Sequence, residues 1–284
     1  MPNSDRRSLV RSRATRRRIA AFVLALAGAA ALVPAMAAPV AASTTVPQAE
    51  TEMLRLINQD RAAHGLVAYR LDARLATIAR ARSIDMATKN YFDHVQPDGH
   101  MVFDFISASG ITWYGAGEVI AWNTWPTLFD SADAANTGWL GSPTHRAIIL
   151  SADYNYIGVG LAIQSSTGKK FWTAVTIKGP DRTRGWSNMA RVARSRLAPV
   201  DGKVPVWIRW EGADRRLQVL TSGLRYFQVE RRVDGGSWAL IRSATTSTTA
   251  TLYQAPHHRY DYRVRMRDRA GNWGLWSAPF AISI

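Results

Sequence analysis

His145 is the residue in this chain whose position most invites chemistry. It lies in the stretch Gly141–Leu150, GSPTHRAIIL. Ser142 is a good N-cap, since its hydroxyl can accept a hydrogen bond from a backbone N–H that the first helical turn leaves unpaired. Pro143 then takes the first helical position, where its missing N–H costs nothing. His145 falls third, at the positive end of the helix dipole, where an imidazolium is disfavoured. Its ring is therefore expected to stay neutral, as a metal ligand or a proton acceptor must. The plainer alternative is a histidine that hydrogen-bonds in a packed corner. A Ser142 nucleophile with His145 as base is disfavoured, because neither a G-x-S-x-G elbow nor an orienting acid accompanies the pair. His64 and His100 have no partner in a motif, and His257–His258 fall in a predicted loop before a strand. Cysteine is absent, so disulfides and thiolate metal sites are excluded.

The elements that must position this histidine can be read from periodicity. From Ala49 the apolar residues Met53, Leu54, Leu56 and Ile57 take helical spacing until Gly65. Leu71, Leu75, Ile78, Ala79 and Met86 mark a second helix, with Asp72 near its start. MVFDFISASG (Met101–Gly110) predicts a third, ended by Gly110, and PTLFDSADAANTGWL (Pro126–Leu140) a fourth. GEVIAW (Gly117–Trp122) reads as a strand. YIGVGLAIQS and KKFWTAVTIKG read as two more, joined as a hairpin through Ser166-Thr167-Gly168. Helices with strands interposed predict a layered α+β unit, and every apolar stripe is assigned to core.

The segments INQDRAAHGL, YFDH, GEVIA, GSPTHRAIIL and YIGVG occur in the order and rough spacing of the CAP superfamily. That superfamily comprises cysteine-rich secretory proteins, antigen 5 and pathogenesis-related proteins, and residues 50–178 resemble its bacterial branch. The resemblance implies an α-β-α sandwich. It also implies a cleft in which two histidines and two acids converge, a set that holds zinc in some members. His94 in YFDH and His145 in SPTHR match the histidines, and Glu118 in GEVIA matches the first acid. The second acid would fall where this chain has Ser142, and Val119 replaces the usual Asn beside the glutamate. Asp130 or Asp133 could supply a carboxylate from the adjacent helix, outside the motif position. Two neutral imidazoles and a carboxylate would give zinc or another divalent cation three ligands and leave a place for water, whose pKa the metal would lower.

Seven arginines between Arg6 and Arg18, the apolar run Ile19–Val33 and Ala35-Met36-Ala37 together read as a secretory signal peptide. TRRRIA also resembles a twin-arginine export signal, so the export route stays open. Cleavage would leave no transmembrane span, and the chain is expected to be secreted or associated with the cell envelope. The charge is uneven: residues 38–181 carry 11 basic against 13 acidic side chains, and residues 182–284 carry 18 against 7. The expected organisation is a signal peptide (1–37), a flexible leader (38–48), a CAP-like domain (49–180), a linker with the first strand of the next unit (181–200) and a second domain (201–284).

That last part reads as about seven short strands with regular turns, VDGGSW and DRAGNW among them, which predicts an all-β two-sheet, immunoglobulin-like sandwich. Residues 190–284 resemble a fibronectin type III module. Trp210 matches its core tryptophan, Tyr260 its tyrosine-corner position, and DRAGNWGLWSAP is typical of bacterial copies. Arg263, Arg265, Arg267 and Arg269 alternate with Tyr262, Val264 and Met266, which places the arginines on one sheet face. Such a face either resists edge-to-edge aggregation or attracts an anionic envelope polymer or acidic glycan. Export argues against nucleic acid as the main partner. The expected function is ligand or divalent-metal binding in the His/Glu cleft, with the basic module for attachment or spacing. The alternative is a zinc-dependent hydrolase acting on peptide or cell-wall glycopeptide through the same three residues.

Overall fold

Capping decides where the first helices begin. In the computed structural model, which describes residues 44–284, α1 runs Val46–Ala63. It starts three residues before the expected Ala49, because the Gln48 side chain accepts the backbone N–H of Thr45 at 2.8 Å and Pro47 follows in the first turn. The expected signal peptide and residues 38–43 of the leader lie outside the described residues. α2 (Ala73–Lys89) is capped by Asp72, whose carboxylate accepts from the Arg74 N–H at 2.9 Å. α3 (Val102–Ala108), α4 (Leu128–Gly141) and α5 (Pro143–Ile149) follow. Among the described residues no helix is long and apolar enough to cross a membrane.

Four strands lie between these helices: β1 (Arg70–Leu71), β2 (Gly115–Asn123), β3 (Tyr156–Ile163) and β4 (Lys170–Lys178). They form one sheet in the order β1-β3-β4-β2, antiparallel except for the β1–β3 pair. α1, α4 and α5 cover one face, where Met53, Ile57, Ala135, Trp139 and Ile149 meet Val119, Ile157 and Leu161. α2 and α3 cover the other, where Leu75, Ala79 and Ile106 meet Tyr156, Val175 and Ile177. The result is the expected helix–sheet–helix layering.

The glycines of YIGVG explain how closely α2 lies on β3. A Cβ on Gly158 would come within 2.1 Å of the Leu75 backbone, and one on Gly160 within 2.1 Å of the Arg80 backbone. Helix and strand therefore touch main chain to main chain. Ser83, on the same helix, donates to the Gly160 carbonyl at 3.1 Å.

The remaining strands are all β. β5 (Trp186–Arg194), β6 (Val204–Ala213) and β9 (Thr249–Gln254) form one sheet in the order β5-β6-β9. β7 (Leu224–Val233), β8 (Ala239–Thr245), β10 (Arg259–Asp268) and β11 (Phe280–Ser283) form another in the order β11-β10-β7-β8. Both sheets contribute to one core, with Met189, Ile208 and Trp210 from the first against Phe227, Val229, Tyr262 and Val264 from the second. Asp234 and Gly235 in the β7–β8 turn have φ of 48° and 75°, the left-handed pair of a tight hairpin.

The two parts are tied together. Leu217, from the β6–β7 loop, is buried with Leu75, Ile111 and Tyr156 of the α/β part. Around it, Gln218 accepts the Val67 N–H at 2.7 Å, and Asn155 donates to the Val219 carbonyl at 3.1 Å.

Two glycine substitutions should have opposite effects in urea unfolding. Gly160→Ala is expected to cost about 3 kcal/mol or more, because backbone must move to admit the methyl group. Gly138→Ala, in α4 with open space around the added Cβ, should stabilise by about 0.5–1 kcal/mol. A Gly160→Ala protein as stable as the parent would overturn the close contact.

Candidate functional site

Glu118 sits on β2, an edge strand of the α/β sheet. Side chains alternate along a strand, so Glu118 and Val119 face opposite layers. Val119 is buried in the core beneath α1 and α4, and the loss of the usual Asn there does not strip a neighbour from the carboxylate. Glu118 faces the α2 side, where its side chain is 3% exposed. One oxygen accepts from Arg82 Nε at 3.1 Å, and the other from His94 Nδ1 at 2.7 Å. A carboxylate has no proton to give, so the imidazole nitrogen is the donor.

Arg82 organises this corner. It stands on α2 in line with Leu75, Ala79 and Met86, and it is as buried as they are, at 1% exposure. Besides Glu118, its guanidinium donates to Tyr91 Oη at 2.6 Å and to the carbonyls of Asp93 and His94 at 2.8 and 3.2 Å. It thereby holds the YFDH loop against the helix. A charged side chain on the apolar stripe of α2 was the sequence signal for this residue.

A second buried arginine acts at the end of α5. Arg61, in INQDRAAHGL, is fully buried and donates to the Ile149 and Ser151 carbonyls at 2.8 and 2.9 Å, at the C-terminal end of α5. It also donates to the Val67 carbonyl and lies 3.5 Å over the Tyr69 ring. α5 is the helix that carries His145. It approaches β2 where Ile148 lies against Gly117, leaving no room for a Cβ there.

Ser142 is the N-cap residue of α5, as expected, but its hydroxyl makes no capping bond and meets Thr144 Oγ1 at 3.2 Å. Asp130 is engaged at the start of α4, accepting from Thr127 Oγ1 at 2.7 Å. Asp133 is exposed. His64 contacts the Asp60 carbonyl and Arg146.

His94 and His145 are electrostatically opposed. The hydrogen bond to Glu118 raises the His94 pKa above the ordinary 6.5, against the effect of burial. Burial, followed by the charge of nearby His94, lowers that of His145. The neutral His145 expected from the helix dipole is thus favoured by a different cause. Both rings are half-buried, and His94 is 44% exposed. With Nδ1 committed to Glu118, Nε2 is the ring nitrogen of His94 left to a ligand.

Among the described residues, the group of three His or acidic side chains whose ligand atoms lie within 4.8 Å of one another is Asp181, Asp214 and Asp268. His94, Glu118 and His145 do not gather so tightly. The three aspartates brace loops: Asp181 accepts from Thr183 and Ser222, Asp214 from Ser222 and Gly223, and Asp268 from Asn272. Burial and its acidic neighbours raise the Asp214 pKa.

On β10, Arg263, Arg265 and Arg267 share one face, opposite the buried Tyr262, Val264 and Met266, whereas Arg269, expected on the same face, lies past the strand's end in the turn. The three guanidinium groups alternate with indoles. Arg263 lies 4.1 Å from the Trp238 ring centre and 4.7 Å from that of Trp276. Arg265 lies 4.4 Å from Trp276 and 4.1 Å from Trp273, and Arg267 lies 5.2 Å from Trp273. Arg263 also pairs with Glu230 at 2.7 Å. Arg263 alone of the three has an anionic partner; Arg265 and Arg267 are held by Gln228, the Gly271 carbonyl and the indoles. Tyr260 donates to the Ala255 carbonyl at 2.9 Å, and Trp210 is buried.

Two measurements test the Glu118 cluster. In an NMR titration His94 should ionise above 6.5 and His145 below it, and Glu118→Gln should lower the His94 value. The raised His94 pKa contributes stability that is full below its unfolded pKa and is lost as pH rises through the folded one. His145 has the opposite sign: its contribution is full above its unfolded pKa and is lost as pH falls through the lower folded one. Arg82→Met should cost about 3–5 kcal/mol by leaving Glu118 buried without its cation. Adding Glu118→Gln should recover part of that loss, whereas strict additivity would mean that the two groups are uncoupled.

Residues 54–176 match the family model described as "Cysteine-rich secretory protein family". The chain is 33% identical over 144 residues to "Uncharacterized protein YkwD" of Bacillus subtilis (strain 168), covering 49% of this chain and 52% of that one. It is 34% identical over 129 residues to "Uncharacterized membrane protein YlbC" of the same organism, covering 45% of this chain and 34% of that one. The chain thus spans about half the length of the first relative and a third of the second. A solved extracellular protein containing an SCP domain from Bacillus anthracis str. Ames is 29% identical, with a TM-score of 0.41, over 46% of this chain and 41% of that one. Residues 54–176 of this cysteine-free chain are a CAP domain with bacterial homologues.

Proposed function

We propose that the chain is an exported, envelope-associated protein whose CAP domain binds a ligand at His94 and His145, with Glu118 orienting the first of them. The observation that carries the reading is a half-exposed imidazole whose inner nitrogen is held by a buried carboxylate. Such a ring presents its outer nitrogen in a fixed direction, which lowers the entropic cost of binding. Burial keeps His145 disposed to accept a proton or a hydrogen bond. Export is supported by the arginine-rich start, the apolar run and the A-x-A site.

The C-terminal part is read as an immunoglobulin-like sandwich of the fibronectin type III kind, serving attachment or spacing. In support stand the two sheets over one core, the buried Trp210 and the Tyr260–Ala255 bond.

The residues do not fit a zinc centre with three protein ligands. The Glu118 side chain is 3% exposed with both oxygens hydrogen-bonded, and its ligand atoms do not gather with those of the two histidines within 4.8 Å, so the three side chains as placed do not form a metal site. A catalytic zinc site ordinarily has three protein ligands. The hydrolase alternative loses its metal on this count.

Sedimentation with isolated cell-envelope material tests the binding reading. His94→Ala with His145→Ala should reduce retention several-fold in protein that circular dichroism shows to be folded, at a lower melting temperature because Glu118 loses one partner. Undiminished retention would remove the cleft from the account. Stoichiometric zinc surviving dialysis at pH 7, with peptide or glycopeptide turnover abolished by the same double variant, would restore the hydrolase.

A further inference from the structure

Where the α/β part meets the β part, a trough of about 770 Å³ opens to solvent. Five arginines line it, Arg70, Arg74, Arg182, Arg184 and Arg215, against a single acid, Asp72. Asp72 is already spent, accepting from Arg182 at 2.7 Å and pairing with Arg74 at 3.3 Å. Arg184 and Arg215 are exposed, and among the described residues neither side chain makes a hydrogen bond or ion pair. A second hollow of about 550 Å³ shares Arg182, Arg184 and Trp276 with the first and adds Arg265.

The walls are held in place before anything binds. Arg182 lies 4.3 Å over the Tyr156 ring, and its backbone N–H donates to Tyr156 Oη at 2.8 Å. Trp276 is stacked between Arg263 and Arg265. Trp186 lines the trough with 45% of its surface exposed, and Leu275 is 73% exposed.

Each basic group here is an arginine. A guanidinium meets carboxylate or phosphate through two parallel N–H donors, a geometry that lysine lacks. An exposed indole offers an apolar face to the C–H side of a sugar ring. An open trough with separate, unpaired cations suits a chain with repeated negative charges better than a small enclosed ligand.

We propose that this trough binds an acidic polysaccharide, with its carboxylate or phosphate groups on Arg184 and Arg215 and a sugar ring against Trp186. The choice of glycan over nucleic acid rests on the export reading. The site shares no residue with the His94–His145 cleft, so either can fail without the other.

The test measures binding of the full chain to polygalacturonate, wall teichoic acid, neutral dextran and single-stranded DNA at several salt concentrations. Polygalacturonate binding identifies carboxylate as the recognised group, and teichoic acid binding identifies phosphate. Either should weaken as salt screens the arginines. Arg184→Gln with Arg215→Gln should weaken it at least tenfold, and Trp186→Ala about threefold with little change in salt dependence. His94→Ala with His145→Ala should leave it unchanged, while cell fractionation of the wild-type chain reads export separately. All substituted side chains in the trough are exposed, and a thermal melt confirms that each variant is folded. Unchanged affinity in the double arginine variant would overturn the site. Equal binding of dextran, or tighter binding of DNA than of either acidic glycan, would overturn the assigned ligand.

Discussion

A buried carboxylate shared between an arginine and a histidine is the constraint on which the site depends. Glu118 lies almost wholly out of water, and removing a charge from water costs several kcal/mol unless partners replace the lost solvation. Arg82 and His94 are those partners. Because Arg82 also takes the carbonyls of Asp93 and His94, satisfying the carboxylate fixes the loop that presents the histidine.

Arginine recurs wherever this fold needs one side chain to satisfy several carbonyls or to lie flat on a ring. Arg61 ties the end of α5 to the α1 side of the domain, and so holds the helix that carries His145. On β10 the arginines interleave with Trp238, Trp276 and Trp273. Stacking and hydrogen bonding there use up a surface that a charge count would read as free. Arg184 and Arg215, beside the join of the two parts, are among the exposed arginines that carry unpaired charge.

That join is built from loops. Leu217 enters the α/β core, and Asp181, Asp214 and Asp268 accept backbone and side-chain donors around it. Most of the aspartate interactions close turns within the β part. Asp181 stands at the start of that part and gathers donors from Ser222 and, through its carbonyl, from Asn272. The basic trough is therefore flanked by a braced wall rather than by two independently moving surfaces.

Periodicity and punctuation made most of the elements legible. Apolar spacing located α1 to α4, and Asp72, Gly65 and Gly110 marked boundaries that the backbone respects. The strand at Trp186–Arg194 was expected only somewhere within 181–200, because it alternates weakly, exposing Trp186 and burying Met189 and Val192 across a bulge. His94, Glu118 and His145 were identified by resemblance to a family, since residues so far apart carry no local signature of contact. Arg82 and Arg61 went unread because an arginine in a helix ordinarily reads as a solvent-facing residue.

By itself, then, the amino-acid order determined the helices and strands, their caps and turns, and which faces are apolar. These depend on interactions between residues a few positions apart. Only the tertiary structure decided which charges remain available. It neutralised Glu118 with Arg82 and His94, stacked Arg263 and Arg265 between indoles, and left Arg184 and Arg215 without partners. Pairing of charges is settled by distance and burial in space, and neither quantity is written in the spacing along the chain.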